Sequence, residues 1–135
     1  MRTSSGVETQ AQRIHRAQQQ VALALLANHC IDAAAVALAY RDLPAEQVVS
    51  GRPRVGSAEL GRLGDCTVGV WELSPSISTD VEVDEFFIVL CGAATVDFDD
   101  SSPSLQLRAG SVGRLVAGSA TRWTVTATLR KIYVA

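Results

Sequence analysis

From about Ala34 to the C-terminus the chain is a succession of short, Val-rich apolar runs, broken by Gly, Pro, Ser and Asp about every eight to twelve residues. That pattern constrains the fold more than any other feature. Successive side chains of a strand point to opposite faces, so short alternating runs bounded by turn-forming residues read as antiparallel strands rather than helices. The pattern predicts strands over Ala34 to Asp42, Arg54 to Leu60, Cys66 to Ser74, Glu85 to Cys91, Ala94 to Phe98, Ser104 to Arg108, Val112 to Val116, Arg122 to Ala127 and Arg130 to Val134. The breaks carry turn chemistry: Ser50-Gly51-Arg52-Pro53, Leu63-Gly64-Asp65, Asp99-Asp100-Ser101-Ser102-Pro103 and Ala109-Gly110-Ser111. The fold class expected is all-β, an antiparallel sandwich or barrel whose strand edges are protected by closure or by a partner.

The N-terminal part is different. From Gln10 to Asn28 there is no Gly or Pro, Ala, Gln and Leu dominate, and Ile14, Ala17, Val21 and Leu25 recur at roughly helical spacing. An amphipathic helical extension over 1–33 is expected ahead of a β domain over 34–135. With 135 residues in total, there is room for one such domain and its core. The basic residues Arg13, His15 and Arg16 before Val21 to Ala27 raise a signal peptide as one reading. Glu8 and the glutamines Gln18 to Gln20 argue against it, and a cytoplasmic location is expected.

Charge and cysteine usage exclude other classes. Twelve Lys plus Arg against 14 Asp plus Glu leave a net charge of -2, which creates no field for nucleic acid. The most apolar stretch, Val21 to Ala39, contains Asn28, His29, Cys30 and Asp32, so no membrane span is expected. Cys30, Cys66 and Cys91 are widely separated without a CxxC pair, and reduced, mostly buried thiols are expected rather than a zinc site or a disulfide framework.

Two segments carry a resemblance. Glu85-Phe86-Phe87-Ile88-Val89-Leu90-Cys91-Gly92 places six residues between a carboxylate and a glycine, as in the second half of the first cupin motif, G-x5-H-x-H-x3,4-E-x6-G. Gly110 opens a stretch similar to the second motif, G-x5-P-x-G-x2-H-x3-N, with Val116 at the proline, Gly118 at the second glycine and Thr121 at the histidine. With Gly69-Val70-Trp71-Glu72, Ser74-Pro75, Trp123 and Arg130-Lys131-Ile132-Tyr133-Val134, the region from about Val48 to Ala135 resembles small single-domain cupins related to (S)-ureidoglycine aminohydrolase. The resemblance implies a jelly-roll β-barrel. It also implies a metal held by two histidines and a glutamate of the first motif and a histidine of the second. Here the paired-histidine slot reads Thr79 and Val81 or Ser78 and Asp80, depending on the spacer, and the last ligand position is Thr121. The only histidines, His15 and His29, precede the barrel, so neither metal nor other cofactor is expected.

Glu85 is the candidate catalytic residue. Alternation groups it with Phe87, Val89 and Cys91, and the resemblance turns that face into the barrel, where a carboxylate serves as acid, base or ligand anchor. Trp71, Phe87, Thr121 and Trp123 are the candidate ligand-binding residues around it. Among Arg114, Arg122, Arg130 and Lys131, a counter-ion for Glu85 or for a carboxylated ligand is expected. Asp80, Glu82 and Asp84 have the opposite parity to Glu85 and read as a solvated acidic loop rather than a site for a hard cation. The leading expectation is a metal-free barrel that binds a small polar or carboxylated metabolite. The alternatives are an aminohydrolase- or isomerase-like enzyme using Glu85, and an interaction module with a filled barrel. A homodimer covering Phe86, Ile88 and Leu90 is the expected assembly.

Overall fold

A computed structural model describes residues 25–135. Among them, nine strands run in the order β1 (Ala39–Asp42), β2 (Val48–Ser50), β3 (Arg54–Leu63), β4 (Cys66–Leu73), β5 (Ser76–Val81), β6 (Glu85–Phe98), β7 (Leu105–Arg108), β8 (Val112–Leu115) and β9 (Ala120–Val134). Single 3₁₀ turns at Ala33–Ala35 and Ala45–Gln47 are the helical elements among these residues. The strand pairings are antiparallel.

Most of the expected helix, Gln10 to Asn28, lies outside the described residues. Where it enters them it is not helical. Asn28 sits at φ 61 in a turn, a left-handed conformation that ends a helix rather than continuing it, and the Leu25 N–H donates to the Leu60 carbonyl of β3 at 2.8 Å. Of the strand expected over Ala34 to Asp42, only the last four residues pair, because Ala33–Ala35 turns with the Asp32 side chain accepting from the Ala34 N–H.

Two long strands organise the sheet. β9 pairs along its first half with β5 and along its second half with β4, while β6 accompanies it on the other side throughout. β6 pairs with β8 near its start and with β7 near its end. Each of these strands was expected as two, with breaks at Gly92-Ala93 and Thr128-Leu129. The structure carries the chain through them with irregular register between Val89 and Ala94. Gly92 has φ +96, and a Cβ there would overlap the Thr128 carbonyl oxygen, so the bulge requires glycine. The bend curls the sheet so that one face closes on itself.

The enclosed face holds Val55, Trp71, Leu73, Phe87, Val89, Val96, Leu115, Trp123, Val125, Leu129 and Tyr133, all buried. Two strands, β2 and β5, were not anticipated. β5 turns Ser76 and Ser78 inward, both buried, so it has no apolar alternation to reveal it. On the outer face, Phe86 and Ile88 are exposed, and the Arg114 guanidinium lies 5.4 Å from the Phe86 ring centroid. Cys30, Cys66 and Cys91 are free but exposed, which corrects the expectation of buried thiols, and Cys91 leaves the inward face where the register of β6 turns irregular.

The opposite parity of β9 fastens the N-terminal segment. Arg130 donates through Nη1 to the carbonyls of Ala33, Ala34 and Val36 at 3.1, 3.1 and 2.9 Å, and through Nε to Glu72 Oε1 at 3.1 Å. Tyr40 donates its hydroxyl to the other Glu72 oxygen, and burial together with that carboxylate pushes the phenol above its usual pKa. Charge-assisted bonds of this kind are worth about 1.5–3 kcal/mol each when buried. Arg130→Ala is therefore expected to lower stability by about 3 kcal/mol in urea denaturation and to expose the segment before Val36 to limited proteolysis. Lysine at this position should recover only part, since it has no fork to span carboxylate and carbonyls.

Candidate functional site

The interior site begins with a break in register. Along β5 and its extension, Ser76, Ser78 and Glu82 are buried at every second position, with Asp80 between them half-buried. Val83 and Asp84 then form a short link, after which β6 restarts the alternation with Glu85, Phe87 and Val89 inward. The link is pinned to the turn before β9. Glu82 N–H donates to Ser119 O and Gly118 N–H to Glu82 O, both at 2.9 Å, and Ala117 N–H donates to Asp84 Oδ1 at 2.9 Å. Both Glu82 and Glu85 therefore face the interior despite their opposite parity, which corrects the reading of Glu82 as part of a solvated loop.

Glu82 is buried with its Oε1 accepting from Thr121 Oγ1 at 2.7 Å and Trp123 Nε1 at 3.0 Å. Burial pushes its pKa up and the nearby Glu85 charge adds to this, while Lys131 and the Thr121 and Trp123 donors pull the other way. A carboxyl whose folded pKa lies above the unfolded value costs stability as it ionises. That cost is absent below the ordinary value of 4.5, grows as pH rises through the folded pKa, and is constant above it. Glu82→Gln is expected to remove this slope. Urea denaturation from pH 4 to 8 should show the variant gaining on the wild type as pH rises; a constant difference would contradict the shift.

Glu85 meets a cation. Lys131 Nζ donates to Glu85 Oε2 at 2.7 Å, with the two side chains only 5% and 10% exposed. The same ammonium lies 4.6 Å from the ring centroid of Trp71, 4.8 Å from that of Phe87 and 5.0 Å from that of Trp123. The rings stand at angles to one another, 57° between Trp71 and Trp123 and 54° between Phe87 and Trp123, so they wall the ammonium on several sides. The topology dictates this meeting. Lys131 pairs with Trp71 on β4 and Val89 on β6, and Trp123 pairs with Ser78 on β5 and Val96 on β6. Phe87 pairs with Gly113, and its ring fills the space that any Cβ at Gly113 would take. Removing a lysine from water costs several kcal/mol. A carboxylate at hydrogen-bond distance and ring faces worth about 0.5–2 kcal/mol each offset that cost.

All five residues singled out in the sequence thus converge: Glu85, Trp71 and Phe87 around Lys131, and Thr121 and Trp123 on Glu82, with Trp123 shared. Lys131 is the counter-ion anticipated for Glu85, whereas Arg130 belongs to the outer clip, Arg114 to the outer face, and Arg122 is exposed. One sequence signal would have singled out Lys131: Thr121, Trp123, Val125, Leu129, Lys131 and Tyr133 share one parity, and along β9 all of that parity are buried except Ala127 at the irregular stretch.

The metal implied by a cupin motif does not fit these side chains. The interior offers carboxylates and a hydroxyl without imidazole, and Glu85 is already bonded to an ammonium that would repel a divalent ion. Among the described residues, no group of three or more His, Cys, Asp or Glu is placed to hold a metal ion. None of their helices is long and apolar enough to cross a membrane.

Solved structures share the curled sheet. The Clostridium difficile EutQ protein is 19% identical over 70% of this chain and 78% of its own, with a TM-score of 0.53. A Pseudomonas syringae protein of unknown function is 21% identical over 77% of this chain and 46% of its own, with a TM-score of 0.67. A Rhizobium leguminosarum protein of unknown function is 23% identical over 59% of this chain and 78% of its own, with a TM-score of 0.54. At these identities the likeness is one of fold. No curated protein matches the chain. The family model of the EutQ-like cupin domain matches residues 60–133, which include β4, β6 and most of β9 and so every residue of the interior site. The chain belongs to the EutQ-like cupin domain family.

Proposed function

We propose that this cupin binds a small carboxylated metabolite inside its barrel without a metal, with Lys131 as the anion anchor and Trp71, Phe87 and Trp123 as walls. One observation carries the reading. An ammonium has three N–H donors, and among the described residues Lys131 makes one hydrogen bond, to Glu85. Donors held in a closed, aromatic-walled interior call for an acceptor, and an anionic ligand supplies it most strongly. Glu85 is the partner that keeps the ammonium in place, and Thr121 supports the Trp123 wall, accepting from its Nε1 and donating to Glu82.

Calorimetry with small carboxylates and their amides tests this. Each carboxylate should bind at least about tenfold more tightly than its amide, since a charge-assisted bond outweighs a neutral one by more than about 1.4 kcal/mol. Glu85→Gln, which leaves the ammonium without its internal anion, should tighten carboxylate binding. Equal binding of acid and amide would refute the anion anchor. The absence of binding by every ligand would favour a filled barrel acting as an interaction module, a role consistent with the near-complete burial of Phe87 and Trp123.

An enzymatic reading, aminohydrolase- or isomerase-like as the ureidoglycine aminohydrolase resemblance suggests, draws support from Glu82. Burial raises its pKa, the direction a general acid needs, and its Oε1 accepts from the neutral donors of Thr121 and Trp123. Turnover lost in Glu82→Gln with binding retained would favour it over simple binding.

A further inference from the structure

We propose that Trp71, Phe87, Trp123 and Glu85 form a receptor for a primary ammonium group, which the chain occupies with its own Lys131. The residue that fills the receptor thereby sets the charge selectivity of the barrel. Ring faces surround Nζ at 4.6, 4.8 and 5.0 Å, and a carboxylate oxygen accepts from it at 2.7 Å. Tilted aromatic faces with a single carboxylate are the arrangement by which proteins recognise free ammonium ions, the rings supplying negative quadrupole faces and the carboxylate a directed bond. Each wall comes from a different strand, Trp71 from β4, Phe87 and Glu85 from β6, and Trp123 from β9, so the sheet rather than the lysine assembles the cage.

Supporting contacts pin two of the three ring walls independently of Lys131. Phe87 is held by its fit over Gly113, and Trp123 by its Nε1 bonds to Glu82 Oε1 at 3.0 Å and Thr121 Oγ1 at 3.2 Å. The cage therefore persists as a cation site when the tethered occupant is shortened. In the wild type, Lys131 acts as an intramolecular ligand at very high effective concentration, which excludes free amines and other small cations.

Chemical rescue tests the proposal. Lys131→Ala removes the side chain beyond Cβ, and propylammonium replaces the missing atoms. Thermal unfolding of Lys131→Ala should respond to propylammonium chloride, with Tm rising by about 5 °C at ten times its Kd. Propan-1-ol and sodium chloride at the same concentrations should not reproduce the rise, and the wild type should show none. Adding Glu85→Gln to the Lys131→Ala chain should cut the response at least about tenfold in affinity, because the directed bond is gone. Should Lys131→Ala fail to fold alone, refolding in propylammonium chloride supplies the same readout, and recovery specific to the ammonium supports the receptor. Lack of a specific response in both unfolding and refolding overturns it, as does an equal Tm rise in the wild type. The rescue requires no carboxylate ligand, so its outcome is separate from that of the anion-binding experiment.

Discussion

Lys131→Met is expected to lower stability at neutral pH by about 3–5 kcal/mol, the cost of leaving one member of a buried ion pair without its partner. Methionine keeps the length and most of the volume of lysine, so the loss is electrostatic rather than a cavity effect. What remains behind is Glu85, 10% exposed at its side chain, with three aromatic rings where its cation stood. The double variant Lys131→Met/Glu85→Gln removes that uncompensated charge and should recover most of the loss. In a double-mutant cycle the coupling between the two positions should exceed about 2 kcal/mol. Urea denaturation of the four proteins reads it directly. Additive losses would mean that the pair holds the interior by packing alone and that Lys131 acts there without its charge.

A second large loss is expected at Gly92, from backbone geometry rather than charge. Alanine there must adopt φ near +96, and its Cβ meets the Thr128 carbonyl carbon and Leu129 Cα at 2.7 Å as well as the overlapping Thr128 oxygen. The left-handed backbone alone costs a non-glycine residue about 1–2 kcal/mol. The contacts are with backbone of the neighbouring strand, which cannot rotate aside as a side chain can. Gly92→Ala is expected to cost about 3 kcal/mol or more, or to abolish soluble expression. The effect reaches the interior site because the bulge at Gly92 lets β6 leave β8 and join β7 while staying paired with β9. Gly110→Ala makes the comparison. Its φ is +88 but nothing lies within 4 Å of a Cβ there, so it should lose only the backbone strain. Equal losses at the two positions would show that the bulge tolerates a side chain.

Much of the site was legible because strand alternation is local. Glu85 and Phe87 fall on one face of β6, and Thr121 and Trp123 on one face of β9, as a period of two requires. Glu82 was misplaced for the same reason that the others were placed well. Alternation carried across Val83 and Asp84 puts Glu82 opposite Glu85, yet that link breaks the period and turns both carboxylates inward. β5 carries no apolar signal because its inward positions are Ser76 and Ser78: the Ser76 hydroxyl donates to the Ser74 carbonyl in the preceding turn, and both residues pair along the backbone with β9. The long strands were divided because glycine and threonine near 92 and 128 read as turns. A bulge and a turn use the same residue types and differ only in what lies across from them.

By itself, then, the sequence determined an antiparallel all-β domain and which residues of each strongly alternating strand share a face. These follow from side-chain period, turn chemistry and composition, all of which act within a few residues. Only the tertiary structure decided that Lys131, forty-six positions from Glu85, bonds to it and stands among Trp71, Phe87 and Trp123. It alone also decided that Arg130, the adjacent residue, clips the N-terminal segment from outside. The physical reason is that β9 is shared between β4, β5 and β6. Its pairing registers fix which of two neighbouring cations is sealed inside the barrel, and register is a property of strands meeting across the sheet.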